Sequence, residues 1–246
     1  MKRRNYKFLI RKAHRYLGVF IGVQFVFWTV GGLYFSWTDI EQIRGDDLRR
    51  SEHHLVAGEI ASPGAAVAEL RRADPALGVM KVQTVNVLGD DFWEIGVHGS
   101  DGQARSVLAR MSDGVIRGPF NEAEARRIAT EALNLPPPIV RAELMNAGSL
   151  DPDHEYREKP MPAWAIEFDA GLMVYVSAET GQIGAIRNTR WRIFDFLWML
   201  HTLDFSTRDN INNWLLRGFS ILGLVTILSG FALFFTSSRF FRTRKL

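Results

Sequence analysis

The chain has 246 residues, 47% of them hydrophobic, a formal net charge of +3 and no cysteine. The absence of thiols excludes disulfides, thiolate catalysis, Cys-ligated zinc and iron–sulfur clusters within the chain. Seven basic residues precede Leu17 and four follow Phe235, with no acid among either group, so the middle holds 19 basic residues against 27 acidic ones. The pI of about 9.3 therefore reports two basic ends. No basic stripe with interleaved aromatics runs through the middle, so nucleic acid is not expected as a partner.

Residues 1–16 read as a basic cytoplasmic N-terminus. From Leu17 to Trp37 there is no Asp, Glu, Lys, Arg or His. As a helix this run would be about 31 Å long, against a bilayer hydrocarbon core of about 30 Å. A helix satisfies its own backbone groups, so 17–37 is expected to be a first transmembrane helix. Tyr34 and Trp37 stand at one end, where amphipathic rings favour the headgroup layer. Arg11, Lys12 and Arg15 crowd the other end, with His14 among them. A signal peptide would have a shorter apolar region and small residues at a cleavage site. This run ends in LYFSWTDIEQ, so it reads as an uncleaved anchor.

Residues 38–61 are polar and charged and read as a connector. Ser62-Pro63 is an N-cap followed by Pro at the first helical position, and Asp74-Pro75 ends the helix between them. Three alternating strand candidates follow, Met80–Leu88, Phe92–His98 and Gln103–Met111, separated by Gly89-Asp90-Asp91 and Gly99-Ser100-Asp101-Gly102. Asn121, with Glu124 three residues on, resembles a capping box and opens a second helix that runs to Asn134. Pro136, Pro137 and Pro138 stop it. Ile139–Met145, Ala163–Phe168 and Leu172–Ser177 are three more strands, the last two joined by a tight Asp169-Ala170-Gly171 turn. Two helix-then-meander units thus occupy 62–118 and 119–187. They end alike: VLARMSDGVIRG and VYVSAETGQIGA each carry a strand, a turn closing in Gly, one residue, then Ile.

The segment 190–205 is aromatic. Trp191, Phe194, Trp198, His201 and Phe205 fall on one helical face, and the run is too short to span lipid, so an interfacial helix is expected. Residues 214–235 form the second transmembrane helix, charged only at Arg217, which can snorkel to the headgroups. A basic tail, 236–246, follows. Basic flanks stay on the cytoplasmic side, so both termini are expected inside and the acidic middle outside.

The helix, the alternating strands and the closing AETGQI resemble PepSY domains, small α+β modules on the outer face of bacterial membranes. The flanks, AHRYLGVFIGV and WMLHTLDF…NNWLLRGFSILGLVTILSGFALFF, resemble the PepSY-associated transmembrane family, and the resemblance spans nearly the whole chain. It implies an α+β membrane protein of the bacterial inner membrane: two transmembrane helices flanking a periplasmic domain of two PepSY-like units. Members of that family include haem-bearing reductases linked to ferric-siderophore uptake, with ligands on the membrane helices. Larger members carry more anchors in one chain.

His14 and His201 are the candidates for chemistry. Each reads either as an interfacial histidine or as an axial ligand to haem b, since neutral imidazole ligates iron well. Around His201, Trp198 would supply an apolar wall, while Arg190, Arg192 or Arg217 would neutralise propionates. A helix would separate the two histidines by about 25–30 Å, so one chain would offer one ligand per membrane face. Bis-His ligation would then need a homodimer or a larger complex. Gly18 and Gly22 form a G-x-x-x-G spacing that would let helices approach. The expected function is haem-mediated electron transfer across the membrane to an oxidised acceptor; the alternative is a haem-free accessory subunit that docks through its PepSY-like units. His53-His54 with Glu52 and Glu59 offer a weaker metal reading. Asp151, Asp153, His154 and Glu155 offer oxygens that suit a hard cation, but their spacing fits no established ligand loop and they read as a solvated acidic loop, with His98 structural. The chain has no nucleophile elbow, P-loop, HExxH or paired helical carboxylates, so hydrolysis and phosphoryl transfer have no support.

Overall fold

The computed structural model describes residues 6–50, 60–146, 148 and 150–237. The His53-His54 pair with Glu52 and Glu59, Lys2, Arg3 and Arg4, and the basic tail from residue 238 lie outside the described residues. The chain divides into two units, one of helices (Met1–Asp39 with Arg192–Leu246) and one built on sheets (Ile40–Trp191). The fold is α+β, with two antiparallel four-stranded sheets and two helices long and apolar enough to cross a membrane.

Two repeats of a helix followed by a four-stranded meander make the sheet unit. In the first, α3 (Pro63–Ala73) precedes β1 (Gly78–Val87), β2 (Asp90–His98), β3 (Ala104–Arg110) and β4 (Ile116–Arg117), in the order β1-β2-β3-β4; α1 and α2 are described below. The Ser62 side chain accepts from the Gly64 N–H, as an N-cap should. The β1–β2 turn falls one residue earlier than the sequence suggests. Val87 pairs with Asp90, so Leu88 and Gly89 form a two-residue loop with φ of 54° and 87°. Positive φ at both central residues suits the right-handed twist of the flanking strands, which overrides the reluctance of Leu to adopt it. Val67 and Leu70 of α3 pack with Ile95, Val97 and Ala109 on one face of this sheet.

In the second repeat, α4 (Glu122–Glu131) precedes β5 (Ile139–Met145), β6 (Ala163–Phe168), β7 (Leu172–Ser177) and β8 (Ile183–Arg187), again in sequential order. The capping box is complete: Asn121 Oδ1 accepts from Glu124 N–H and Glu124 Oε2 accepts from Asn121 N–H, both at 3.0 Å. The helix ends at Glu131 rather than Asn134, because the backbone beyond it is taken by another partner. Leu133 bridges Arg49, and Asn134 N–H donates to Leu48 O. Residues 40–50 of the stretch read as a connector are thus folded, and 51–59 lie outside the described residues. Its helix α2 (Ile40–Arg44) buries Ile43, and Asn188 Nδ2 donates to Gln42 O at 3.0 Å.

Strand alternation lets the second sheet bury both faces. Ile166, Phe168, Val174, Val176 and Ile186 join α4 in the main core. Ala163, Ala165 and Ala185 face the other way, and their small side chains leave room for Tyr156 stacked on Tyr175 at 4.5 Å. Tyr156 comes from the 151–160 segment, in which Asp151 and Asp153 are exposed as a solvated acidic loop requires, while Glu155 ties it to the sheet: Tyr175 Oη donates to Glu155 Oε1 and Arg187 Nε to Glu155 O, each at 2.8 Å. Gly184 is required beneath it, since a Cβ there would lie 2.4 Å from Tyr156 Oη.

The recurring Gly-x-Ile turns have one physical basis. Gly114 (φ 73°) and Gly181 (φ 65°) each donate their N–H four residues back, to Arg110 O and Ser177 O. Gly181 also meets the first repeat, where a Cβ would lie 2.8 Å from Val87. Next to it, Gln182 Nε2 donates to Glu94 Oε2, a buried carboxylate that also accepts from Gln83 and from Ser106. A buried charge is tolerated only when hydrogen-bonded in this way, so the AETGQI turn joins the two repeats.

Candidate functional site

Three helices make the other unit: α1 (Tyr6–Trp37), α5 (Thr189–Thr202) and α6 (Trp214–Ser237). The first starts well before Leu17, because Arg and Lys are good helix formers and interrupt only the apolar run. It packs against α6 along its N-terminal two thirds. Phe20 stacks on Phe219 at 5.3 Å, and Gly223 lets Phe25 approach α6. A Cβ at Gly18 or Gly22 would meet nothing within 4 Å.

His14 lies at the far end of that seam. Its Nδ1 is 2.7 Å from Ser229 Oγ. The Ser229 hydroxyl donates to Thr226 O, also at 2.7 Å, so its single proton is committed there. With that proton on Thr226 O, the oxygen is an acceptor for His14 Nδ1–H. In that neutral tautomer Nε2 keeps its lone pair. Gly230 lies against the same ring, and a Cβ there would come within 3.2 Å of His14 Cε1. A ring whose one nitrogen is hydrogen-bonded while the other keeps its lone pair is the arrangement that metal-bound histidines use.

His201 sits at the end of α5, which lies along the C-terminal part of α1. Phe194, Trp198 and His201 stack down one face of α5, with Trp198 parallel to His201 at 6.0 Å. Trp28 and Phe35 of α1 close the ring in at 5.9 and 6.1 Å. Of the aromatic face expected from sequence, Trp191 meets Arg187 instead of this stack, and Phe205 also departs. It lies beyond the helix and is 57% exposed. His201 Nδ1 is buried with no hydrogen-bond partner among the described residues.

The last carbonyls of a helix have no intrahelical donor, and here side chains supply them. Gln24 Nε2 donates to Leu200 O at 2.8 Å, Trp28 Nε1 to His201 O at 3.0 Å, and Asn213 Nδ2 to Thr202 O at 2.9 Å. Asn213 Oδ1 also caps α6 by accepting from Leu216 N–H. Between the helices the 203–213 loop winds around Asp204, whose carboxylate accepts from Ser206 N–H and Oγ–H, Thr207 N–H and Oγ1–H, and Asn210 N–H. Burial pushes the Asp204 carboxyl up, but these donors outweigh it and hold it well below the usual carboxylate range. Arg208 pairs with buried Asp195 of α5. Leu203 and Arg208 adopt positive φ to close the loop.

His14 and His201 are not brought together. His14 is level with Ser229 and His201 with Trp28, which places them about 21 Å apart along α1. Arg217 lies over the Trp214 ring, and Arg190 donates to Gln42 Oε1. Among the described residues, no group of three or more His, Asp or Glu could hold a metal ion. Sequence reasoning missed Gln24, Ser229, Thr226 and the Asp195–Arg208 pair. The available signal was polarity out of place: Gln24 is the one amide in an otherwise apolar run. Comparison with protein-family models, curated proteins and solved structures finds no match to this chain.

Proposed function

We propose that the chain is a membrane-anchored PepSY-type protein of a bacterial inner membrane. It would carry haem b and pass electrons to an oxidised acceptor, such as a ferric siderophore, on the outer side. The observation that carries this reading is His14: its Nδ1 lies 2.7 Å from Ser229 Oγ, whose hydroxyl donates to Thr226 O, a geometry that suits the Nδ1–H tautomer with a lone pair on Nε2, and the ring packs against Gly230. The unpartnered Nδ1 of His201, walled by Trp198, Trp28 and Phe35, supports it at the other level. Haem b, when bound, supplies reversible one-electron chemistry. His14 and His201 would each hold one iron. Ser229 orients the first ring, the aromatic walls exclude water from the second, and Arg217 would balance a propionate charge. Their separation means that one chain supplies one histidine per site, so a homodimer would complete both pairs.

The test is haem content per chain, measured as pyridine haemochrome on protein purified in mild detergent with haem supplied during expression. The reading expects about one haem per chain, consistent with two haems in a dimer, and partial loss in each of His14→Ala and His201→Ala. A folded wild-type chain without haem would refute it. The same separation favours a second reading, a haem-free accessory subunit that docks through its two sheets. Isolation of the native membranes with a stoichiometric partner and no haem would support that alternative.

A further inference from the structure

We infer that the hydrocarbon layer is offset along α1: it covers about Arg11 to Thr29, and its outer boundary meets the chain at the 203–213 loop. The inference rests on the membrane-anchor part of the reading above and is independent of haem. Length alone does not choose the position. Leu17–Trp37 and Arg11–Thr29 each span about 27–31 Å at about 1.5 Å per residue, close to the bilayer core.

The packing of the helices decides it. Phe20 is level with Phe219, Ile21 and Phe25 with Gly223, and His14 with Ser229. Counting back up α6, its first residue, Trp214, comes level with about Thr29. From the other side, Trp28 and Gln24 cap the end of α5. The loop between α5 and α6 therefore sits about nine residues, or roughly 13 Å, below the end of α1. Asp209, Asn210 and Asn212 of that loop are exposed. Were Leu17–Trp37 the buried span, these residues and the loop backbone would lie near the bilayer midplane facing lipid, where irregular, charged backbone is not tolerated.

The offset placement removes that conflict. It puts the loop in the headgroup layer, with exposed Phe205, Ile211 and Trp214 as interfacial anchors. At the other face Arg11 and Lys12 meet the headgroups, and Arg15, one turn deeper, snorkels. The last two turns of α1 then stand above the hydrocarbon. There α5 covers Gly31 and Phe35, while Val30 and Leu33 lie at the headgroup level and Trp37 about 12 Å above the hydrocarbon. His201 comes to the outer lipid boundary.

A chain without cysteine allows a direct test. Single variants Tyr16→Cys, Val23→Cys, Leu33→Cys, Ser36→Cys and Asp209→Cys are exposed in membranes opened to both sides to a charged, membrane-impermeant maleimide. Labelling after SDS denaturation serves as the total. The offset placement expects Leu33→Cys, Ser36→Cys and Asp209→Cys to label near completion, and Tyr16→Cys and Val23→Cys at least tenfold more slowly. Labelling of Tyr16→Cys with protection of Leu33→Cys overturns it, as does protection of Asp209→Cys. Ser36→Cys replaces one small side chain by another and stands in if Leu33→Cys misfolds. Extraction of the chain by alkaline carbonate would instead refute the membrane reading itself.

Discussion

The two ends of the helical unit treat a histidine in opposite ways. At the His14 end, the ring is part of a polar chain between two helices, running from its Nδ1 through Ser229 Oγ to Thr226 O. At the His201 end, the ring is packed among Trp28, Phe35 and Trp198, and its buried Nδ1 has no donor or acceptor among the described residues. There the hydrogen bonds go to the backbone: Trp28 holds the His201 carbonyl, not its imidazole. One ring has its Nδ1 held by a side chain of the facing helix. The other is packed by aromatic rings while the hydrogen bond goes to its backbone carbonyl. The difference teaches that a His in an apolar segment must be judged by what its second nitrogen touches, because the sequence context of both is similar.

The comparison can be broken from the His201 end first. Asp195→Ala removes the buried carboxylate that pairs with Arg208, and it should cost about 3–5 kcal/mol. Thermal unfolding in mild detergent would read this as the largest loss of the set, whereas replacing both partners by apolar residues should recover much of it. Gln24→Leu removes the donor to Leu200 O and should cost about 1–3 kcal/mol, the penalty of an orphaned buried carbonyl. Val23→Leu on the exposed face of the same turn should leave the unfolding temperature unchanged.

From the other end, Ser229→Ala frees the His14 ring to take either tautomer. It should weaken haem retention by about tenfold or more with little change in unfolding temperature; haem loss to apomyoglobin measures it. The smallest effect is a pH slope. Asp204 has its carboxyl depressed in the folded chain, so its contribution to stability is present above the unfolded value of 3.8 and is lost as pH falls toward the folded value. Wild type should therefore lose stability in acid below about pH 4, and Asp204→Asn, already weaker at neutral pH, should show a flatter profile. Equal slopes would mean that the loop does not depend on the charge.

Much of the fold was legible because short-range chemistry decided it. The Asn121–Glu124 capping box, the Ser62-Pro63 start and strands β5 to β7 lie where the sequence puts them. The recurring Gly-x-Ile turn was visible as a pattern; its cause, a positive-φ Gly beside a Gln that reaches Glu94, was not. The misses are long-range. Nothing local to 40–50 announces that its backbone will pair with Leu133 and Asn134, and nothing local to 151–160 announces that Tyr156 will stack on Tyr175. For the site, His14 and His201 were legible as residues and as a separated pair. Their surroundings were not, because Ser229 and Gln24 gain meaning only once α1 is set beside α6 and α5.

The measurement closest to the central claim is a dithionite-reduced minus oxidised absorbance spectrum of the haem-supplied chain in mild detergent, with wild type beside His14→Ala and Ser229→Ala. The account predicts the sharp reduced bands of a bis-His b haem in wild type. Those bands should be diminished in His14→Ala, while Ser229→Ala should keep the band positions at lower occupancy. Featureless spectra from a folded, haem-replete wild type, or bands indifferent to His14→Ala, would contradict it.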